Sequence, residues 1–373
     1  MNYIYFLTIL FGLVSKASAG ELYQAGLPPR CLAMGGTCIA HIRGSQGLFF
    51  NASTLARMEG FDFTLLQATA AVSKNAESYV NAVKKNGGNK ISLTDIQGLY
   101  GKTISADAAV RAGIAMPYFG MGAYSQNYLV ETFNNPTFPT FNANYVSDYG
   151  YTIAAAVPFG PQTSIGIAGR SAKRWGGNKD IDISTLINSS NQSIIDQNFP
   201  DHGSGVAMDL SFITTLNTEL KPTFSVVWLD VGKTQYRVYS GTQDPPAQDD
   251  NLIFGAAIQH EFLKGAWTHS FEYQYIRTNG EDLSKKIHIG SEVSYGLIDL
   301  RAGLSQGYLT YGLGLDLWFL RVEAAAFSSE LGAYAGQSRN DRYQLGVTVD
   351  FDFDQTFKML DMNGKKRRLK QRR

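Results

Sequence analysis

The stretch RYQLGVTVDFDF, residues 342–353, alternates apolar and polar side chains along its whole length. One face holds Tyr343, Leu345, Val347, Val349, Phe351 and Phe353, and the other holds Gln344, Gly346, Thr348, Asp350 and Asp352. A repeat of two residues is the repeat of a β-strand, whose successive side chains point to opposite faces. This stretch therefore predicts a strand near the end of the chain.

The same alternation recurs in THSFEYQYI (268–276), in KIHIGSEVSYGL (286–297) and in most of the remaining chain. Segments of about 9 to 15 residues, the length that a tilted strand needs to cross a bilayer, can be marked throughout. They are 61–73, 107–117, 120–131, 147–158, 162–172, 203–216, 220–235, 252–263, 266–278, 285–297, 300–308, 310–318, 319–328 and 341–353. The pattern predicts about fourteen strands.

The connections between these segments alternate in length. Long ones fall at 74–106, 132–146, 173–202, 236–251 and 329–340, and tight ones fall at 117–119, 159–161, 217–219, 264–265, 298–299 and 318–320. Two outer connections, 279–284 and 309, are short exceptions that keep the order of the two sides. Outer-membrane barrels have short periplasmic turns and longer external loops, whereas a soluble β-sandwich has no reason to sort its loops in this way. The fold class predicted is all-β, a transmembrane antiparallel β-barrel of about fourteen strands.

The first residues, MNYIYFLTILFGLVSKASAG, combine an apolar run with the small residues Ala17, Ser18 and Ala19. This pattern is typical of a secretory signal peptide over residues 1–19, cleaved after Ala19. With the barrel, it predicts the outer membrane of a Gram-negative bacterium as the location. The barrel itself is expected over residues 61–353, and residues 354–373 form a basic tail.

Charged side chains alternate onto the face of the strands that would line the barrel lumen. The predicted lumen-lining polar residues are Glu261, Glu272, Glu292, Arg301, Asp316, Arg321, Glu323 and Asp350. A barrel of this width has an interior that side chains must fill. These residues could form ion pairs that hold the wall together, or they could line a permeation path.

The stretch CLAMGGTCIAHIRGSQGLFFNAS, residues 31–53, has the residue types of a binding site. Cys31, Cys38 and His41 could bind zinc, but their spacing is unlike that of common zinc sites. An oxidising periplasm favours a disulfide between the two cysteines, with two free buried thiols as the alternative. Gly35 and Gly36 lack the lysine of a phosphate-binding loop and are expected to let backbone approach the wall. No metal or cofactor is predicted.

Three other stretches invite a functional interpretation. HGSG at 202–205 lacks the spacing of a nucleophile elbow, so no catalytic residue is assigned and an enzyme is not expected. TQDPPAQDD at 242–250 could hold a divalent ion but is more typical of a solvated turn. The tail GKKRRLKQRR, 364–373, could bind lipid headgroups or an acidic protein, or it could be a solvated end. Export excludes nucleic acid as its partner.

The N-terminal stretch resembles the FadL superfamily of outer-membrane proteins, most closely the TraF-like or PorV-like branch. The matching residues are Ala33-Met34-Gly35-Gly36, Ile39-Ala40, Leu48-Phe49-Phe50-Asn51 and Leu55-Ala56, with a second match over 300–317 and 328–347. The resemblance implies a fourteen-stranded barrel whose residues 20–60 form a hatch or plug in the lumen, with Gly35, Gly36, Phe49, Phe50 and Asn51 as hatch residues. The family's proline after Asn51 is replaced by Ala52, which removes a rigid turn.

The resemblance implies passage of hydrophobic small molecules across the outer membrane. The alternative is a barrel that transports nothing and serves as a scaffold in a secretion or conjugal-transfer system, binding partners through its outer loops or basic tail. Expected partners are outer-membrane lipid and lipopolysaccharide, with a hydrophobic small-molecule ligand for the channel, or a periplasmic or secreted protein for the scaffold.

Overall fold

The computed structural model describes residues 21–22, 26–42, 44–85, 93–133, 140–160, 162–182, 184, 191–262 and 265–354. The predicted signal peptide and the basic tail beyond residue 354 lie outside this part of the chain. Within the described residues, no helix has both the length and the apolar character that a membrane span requires.

Strands make up most of the described chain. They are β1 Gly60–Ser73, β2 Thr103–Met116, β3 Phe119–Phe133, β4 Thr140–Gly160, β5 Thr163–Asp182, β6 His202–Thr215, β7 Thr223–Leu229, β8 Arg237–Ser240, β9 Asn251–Phe262, β10 Gly265–Tyr273, β11 Ile287–Tyr295, β12 Ile298–Ser305, β13 Tyr308–Leu317, β14 Leu320–Glu330 and β15 Arg339–Asp354. Helices are short: α1 Pro29–Ala33, α2 Gly47–Phe50, α3 Ala76–Lys85, α4 Leu93–Gln97, α5 Asn191–Asn198 and α6 Leu283–Lys286. Two 3-10 helices, Gly44–Gln46 and Ala52–Arg57, flank α2.

The strands form one closed antiparallel sheet. Each long strand pairs with its neighbours in the sequence, and β15 returns to pair with β1. The pairing of β5 with β6 completes the circuit, while the four-residue β8 only extends the edge of β6 at His202–Ser204. Without β8 the barrel has the fourteen strands that the sequence predicts, so the predicted fold class is confirmed.

The two faces of the wall differ as the alternation predicts. On β15, Arg342 and Gln344 are each 1% exposed. Their outward neighbours in the sequence, Tyr343 and Leu345, are 49% and 65% exposed. The outward-facing side chains form an apolar belt around the barrel that includes Phe159, Val206 and Leu309. Such a continuous apolar surface is far larger than a water-soluble monomer tolerates and fits a lipid surrounding.

The two ends of the barrel differ in their connections. At the turn end, two-residue turns such as 117–118 and 318–319 join the strands, and Tyr118 and Trp318 adopt positive φ of 72° and 66°. At the loop end, longer connections such as 230–250, 274–286 and 331–338 leave the barrel. The predicted sorting of short and long connections is present, except that only residues 306–307 join β12 and β13 at the loop end.

Several predicted strand bounds are wrong at the loop end. The structure extends the segments predicted at 147–158 and 162–172 to β4 and β5, of 21 and 20 residues. It shortens 220–235 to β7, because Asp230 takes a positive φ of 53° and turns the chain away from the wall. The segment predicted at 266–278 likewise ends at Tyr273, two residues before Tyr275 adopts a φ of 52°.

The added length of β4 and β5 is covered on the outside by loop helices. Side chains of β2–β5 that follow the outward alternation pack there against α3, α4 and α5. We call this assembly the outer cap; its buried residues are Ile96, Leu99, Ile104, Phe133, Phe141, Ala143, Tyr145, Ile181 and Phe199. The cap replaces lipid with protein on the outer face of this end of the wall.

Candidate functional site

The candidate site is the lumen, which residues 26–42 and 44–58 enter; we call these residues the N-terminal segment. They contact the inward faces of strands all around the barrel. Gly35 N donates to Thr310 Oγ1 of β13 at 2.9 Å, Asn51 Nδ2 donates to Ser225 Oγ of β7 at 2.9 Å, and Arg111 of β2 donates to Gly26 O at 2.5 Å. The segment thus crosses the lumen and is held from several sides. Whether it moves as a hatch stays a prediction.

Cys31 and Cys38 are joined by a disulfide. The bond closes a turn that begins with α1, in which Gly36 N donates to Cys31 O at 2.8 Å. Both cysteines pack with Leu32, Ile42 and the wall residue Phe327, together with Leu27, Ala33, Phe50 and Ala325. The disulfide gives a short segment, which is too small to form a core of its own, a fixed shape inside the barrel. Among the described residues no cluster of His, Cys, Asp and Glu has the arrangement of a metal site.

Gly35 and Gly36 lie directly against the wall. They have positive φ of 71° and 85°, and a Cβ on Gly35 would lie 2.3 Å from Ile289 O. The wall has no side chain at the facing position either, since a Cβ on Gly303 would lie 2.3 Å from Gly35 N. His288 Nδ1 lies 2.7 Å from Gly35 O. Glycines on both partners therefore let segment and wall meet backbone to backbone.

The wall is thin at the same place, as its outer face shows. Gly290 and Gly303 contribute to the floor of a shallow apolar depression of about 530 Å³ on that face. Phe271, Ile289 and Leu304 border it. At this point a single layer of backbone separates the N-terminal segment from the outside of the barrel.

Phe49, Phe50 and Asn51 connect the second half of the segment to the wall and to its first half. The Phe49 ring meets Tyr124 edge to face at 6.3 Å, and the Arg111 guanidinium lies 5.3 Å and 4.9 Å from the centres of the Phe49 and Phe50 rings. Asn51 is 1% exposed and links the segment to itself by donating to Ile39 O at 2.7 Å. These three residues fix how the second half of the segment lies on the wall.

The first half of the segment, residues 26–42, is anchored by charge; the second half is residues 44–58. Arg30 donates to both carboxylate oxygens of Glu292 at 2.7 and 2.8 Å, and Glu292 also accepts from Arg301 Nε at 2.6 Å. Arg301 in turn pairs with Glu323 at 2.9 Å and with Asp299 at 2.9 Å. Bidentate pairs of buried arginine and carboxylate are the strong form of such contacts. We call this network, Arg30, Glu292, Asp299, Arg301 and Glu323, the ionic anchor.

Glu272 adds a second polar contact with the first half. Its carboxylate is fully buried and accepts from Cys38 N at 2.5 Å, Ile39 N at 2.7 Å and Gln274 Nε2 at 2.9 Å. The turn that the disulfide closes is therefore fixed to β10 through backbone amides.

The other predicted lumen-lining residues are spread along the wall. Arg321 pairs with Asp316 at 3.1 Å, and Asp350 is buried on the inward face of β15. Glu261 keeps the inward alternation of β9 but lies at its turn end, where its side chain is 66% exposed and pairs with Lys221 at 3.2 Å. Glu261 therefore does not join the buried lumenal groups, because alternation sets the face of a side chain and not its depth.

The second half of the segment meets an apolar wall. Leu48, Ala52 and Leu55 pack on the small residues Ala115, Ala154, Ala156 and Ala168 of β2, β4 and β5. A Cβ on Gly120 would lie 2.3 Å from Leu48 Cδ2, so the absence of a side chain at Gly120 leaves room for Leu48. We call the contact between Leu48–Leu55 and these wall residues the apolar seam.

Residues from the 230–250 connection also face the lumen, and the sequence did not reveal them. Arg174 donates to both Asp148 oxygens at 2.6 and 2.7 Å, to Pro246 O at 2.9 Å, and lies 4.2 Å from the Tyr236 ring. Arg170 pairs with Asp209 and Asp230, each at 3.0 Å. These contacts fold the connection over the loop end of β5 and β6. A turn of this kind has no periodic pattern that could have predicted it.

No protein-family profile matches this sequence, and no curated protein sequence matches it. Solved structures do. The structure titled CymD monoaromatic hydrocarbon channel is 13% identical with a TM-score of 0.52, covering 88% of this chain and 98% of that one. A Pseudomonas aeruginosa FadL homologue is 9% identical with a TM-score of 0.52, covering 90% of this chain and all of that one. A TodX mutant described as a monoaromatic hydrocarbon channel is 12% identical with a TM-score of 0.51, covering 88% and 99%.

These similarities are of fold. At identities of 9% to 13% they show that the chain has the barrel architecture of FadL-type proteins over nearly its whole described length. They match the predicted barrel fold, and membership of the FadL superfamily stays a prediction.

Proposed function

We propose that the protein is an outer-membrane channel of FadL-like type that lets hydrophobic small molecules pass. Its fold is shared with two barrels described as monoaromatic hydrocarbon channels and with a FadL homologue. The apolar belt fits insertion in a bilayer, and the predicted signal peptide fits export to the outer membrane. A channel of this kind needs no catalytic group. The TraF-like or PorV-like branch stays a prediction from the sequence.

The unequal attachment of the two halves of the N-terminal segment carries this proposal. The first half is fixed by the ionic anchor and by Glu272. The second half is held at the apolar seam by packing and by hydrogen bonds such as that from Ser53 N to Ser211 Oγ at 2.9 Å. Separating apolar surfaces in the presence of an apolar ligand costs little, because the ligand replaces the lost contacts. We therefore place the path for a hydrophobic molecule along the seam.

An uptake measurement tests the proposal. Gram-negative cells that express the protein should accumulate a radiolabelled long-chain fatty acid or monoaromatic hydrocarbon faster than cells with an empty vector. A radiolabelled sugar of similar size should enter both at the same rate. Equal accumulation of both hydrophobic probes with and without the protein would reject the channel function.

Two engineered disulfides test the path. Ser45 Oγ and Thr64 Oγ1 lie 2.5 Å apart just before the seam, so the pair Ser45→Cys/Thr64→Cys has the geometry to cross-link the segment to β1. Oxidation should slow uptake, and reduction should restore it. The control is Thr37→Cys/Ser270→Cys, whose oxygens lie 2.6 Å apart in the anchored half and whose oxidation should leave uptake unchanged. Slowing by the control pair alone would refute the assigned path.

A further inference from the structure

A row of polar side chains faces outward at the loop end of the barrel. The strand registers pair Tyr149 with Lys173, Lys173 with Ser204, and Ser204 with Arg237, across β4, β5, β6 and β8. Directly paired residues of adjacent antiparallel strands point to the same face. Tyr149 and Ser204 are exposed on the outer surface, which places the whole row there. We call these four residues the outer row.

The outer row lies where the apolar belt ends. Toward the turn end, the next outward residues of β6 are Val206, 78% exposed, and then Met208, Leu210 and Phe212. Toward the loop end, His202 stacks on Trp175 at 5.1 Å, and the Trp175 indole donates to Phe199 O of the outer cap. The row therefore occupies a band between the apolar belt and the cap. In a bilayer this is the depth of the lipid headgroups.

The charge of the row is largely unneutralised. Lys173 Nζ lies 5.8 Å and 5.7 Å from the ring centres of Tyr149 and Tyr239, which hold the ammonium group in place. In the described part of the chain no carboxylate forms an ion pair with Lys173. Arg237 has a loose partner, Asp244, at 3.5 Å, with the two side chains 84% and 48% exposed. Such an exposed pair is weak, so Arg237 can bind another anion.

We propose that the outer row binds the phosphate groups of lipid A in the outer leaflet. Lys173 and Arg237 lie two strands apart, about 10 Å, so their side chains can converge on one phosphorylated headgroup. A guanidinium can bind phosphate oxygens in pairs, an ammonium group attracts them as a point charge, and the tyrosine and serine hydroxyls can donate hydrogen bonds. The acyl chains would lie on Val206 and its neighbours in the belt. This site rests on the proposed membrane placement and is independent of any passage through the lumen.

Native mass spectrometry of the detergent-solubilised full-length protein with bisphosphorylated lipid A tests the site. Each cation near an anionic lipid surface contributes about fivefold to binding, so Lys173→Gln/Arg237→Gln should bind lipid A about thirtyfold more weakly. Lys221→Gln/Lys233→Gln is the control, because it removes the same net charge from two exposed lysines outside the row. The control should bind like the parent protein. Equal weakening by both double variants would overturn the site.

Two further arms separate phosphate recognition from general attraction to charge. Lipid A from which both phosphates have been removed should bind the parent protein and the glutamine variant equally. The variant Lys173→Arg/Arg237→Lys should retain most of the affinity of the parent protein for bisphosphorylated lipid A. Phosphatidylglycerol should bind more weakly than lipid A, since it offers one phosphate. Equal binding of phosphatidylglycerol and lipid A would overturn the assignment to lipid A. These measurements need no transport, so failure of uptake and failure of this site are distinguishable.

Discussion

The Arg30 guanidinium forms a bidentate pair with the Glu292 carboxylate, with Nη2 and Nε 2.7 Å and 2.8 Å from its two oxygens. The two residues are 262 positions apart, and their contact joins the N-terminal segment to β11. Arg301 binds the same carboxylate from the neighbouring strand. The segment is thus tied into the ion pairs of the wall itself.

Removing Glu292 should destabilise the barrel more than removing Arg30. Glu292→Ala leaves the buried Arg301 and the partly buried Arg30 without this carboxylate, and breaking a buried pair costs about 3–5 kcal/mol. Arg30→Ala leaves Glu292 bound to Arg301, so we expect a smaller loss of about 1–3 kcal/mol. The midpoint of urea unfolding in detergent micelles, followed by tryptophan fluorescence, measures both. Lys221→Ala, in an exposed pair, is the control and should cost less than about 1 kcal/mol. The reverse order of Glu292→Ala and Arg30→Ala would contradict the geometry.

Gly303→Ala should displace the N-terminal segment from the wall. The added Cβ would lie 2.3 Å from Gly35 N and 2.6 Å from Met34 C, both backbone atoms that cannot rotate away. We expect faster proteolysis within residues 30–40 and a lower unfolding midpoint. Gly169→Ala on β5 is the matched control, since a Cβ there would meet no atom within 4 Å. If Gly303→Ala is cleaved at the same rate as the parent protein, the segment and the wall are less closely packed than in this structure.

Alternation predicted the wall well because most strands have lipid on one face and a polar lumen on the other. It failed where the loop helices of the outer cap form a third layer outside the wall. Phe141 and Tyr145 alternate outward on β4 as spanning residues do, yet they pack under the outer cap, and the extra strand length they mark was assigned to a loop. Two of the partners of Arg174, Pro246 and Gln248, come from the 230–250 connection, whose contacts follow no repeat. Alternation also cannot give depth, which is why Glu261 was placed among the lumenal residues.

The disulfide should stabilise the segment chiefly by limiting its unfolded conformations. For cysteines separated by seven positions, the chain-entropy relation gives about 2.5 kcal/mol. Cys31→Ala/Cys38→Ala should therefore lower the free energy of unfolding by about that amount, and reduction of the parent protein should do the same. The reduced double variant is the internal control, because a reductant has no bond to break there. Mass spectrometry after alkylation without reduction should find both thiols of the parent blocked; two alkylated cysteines would contradict the bond.

The contact between Asp201 and the 230–250 connection should weaken in acid. Asp201 Oδ1 accepts from Thr242 N at 2.7 Å and from Gln243 N at 3.1 Å, and the hydrogen bond from Thr242 is the main reason that the pKa of this carboxyl is lowered. A carboxyl whose pKa is lower in the folded protein stabilises it above the unfolded value of about 3.9, and this contribution is lost as the pH falls through the folded pKa. Hydrogen exchange at the amides of Thr242 and Gln243, corrected for its intrinsic pH dependence, should lose protection below about pH 4. Asp201→Asn should remove the pH dependence, because its side chain does not titrate in this range. Protection that falls equally in parent and variant would assign the acid sensitivity to another group.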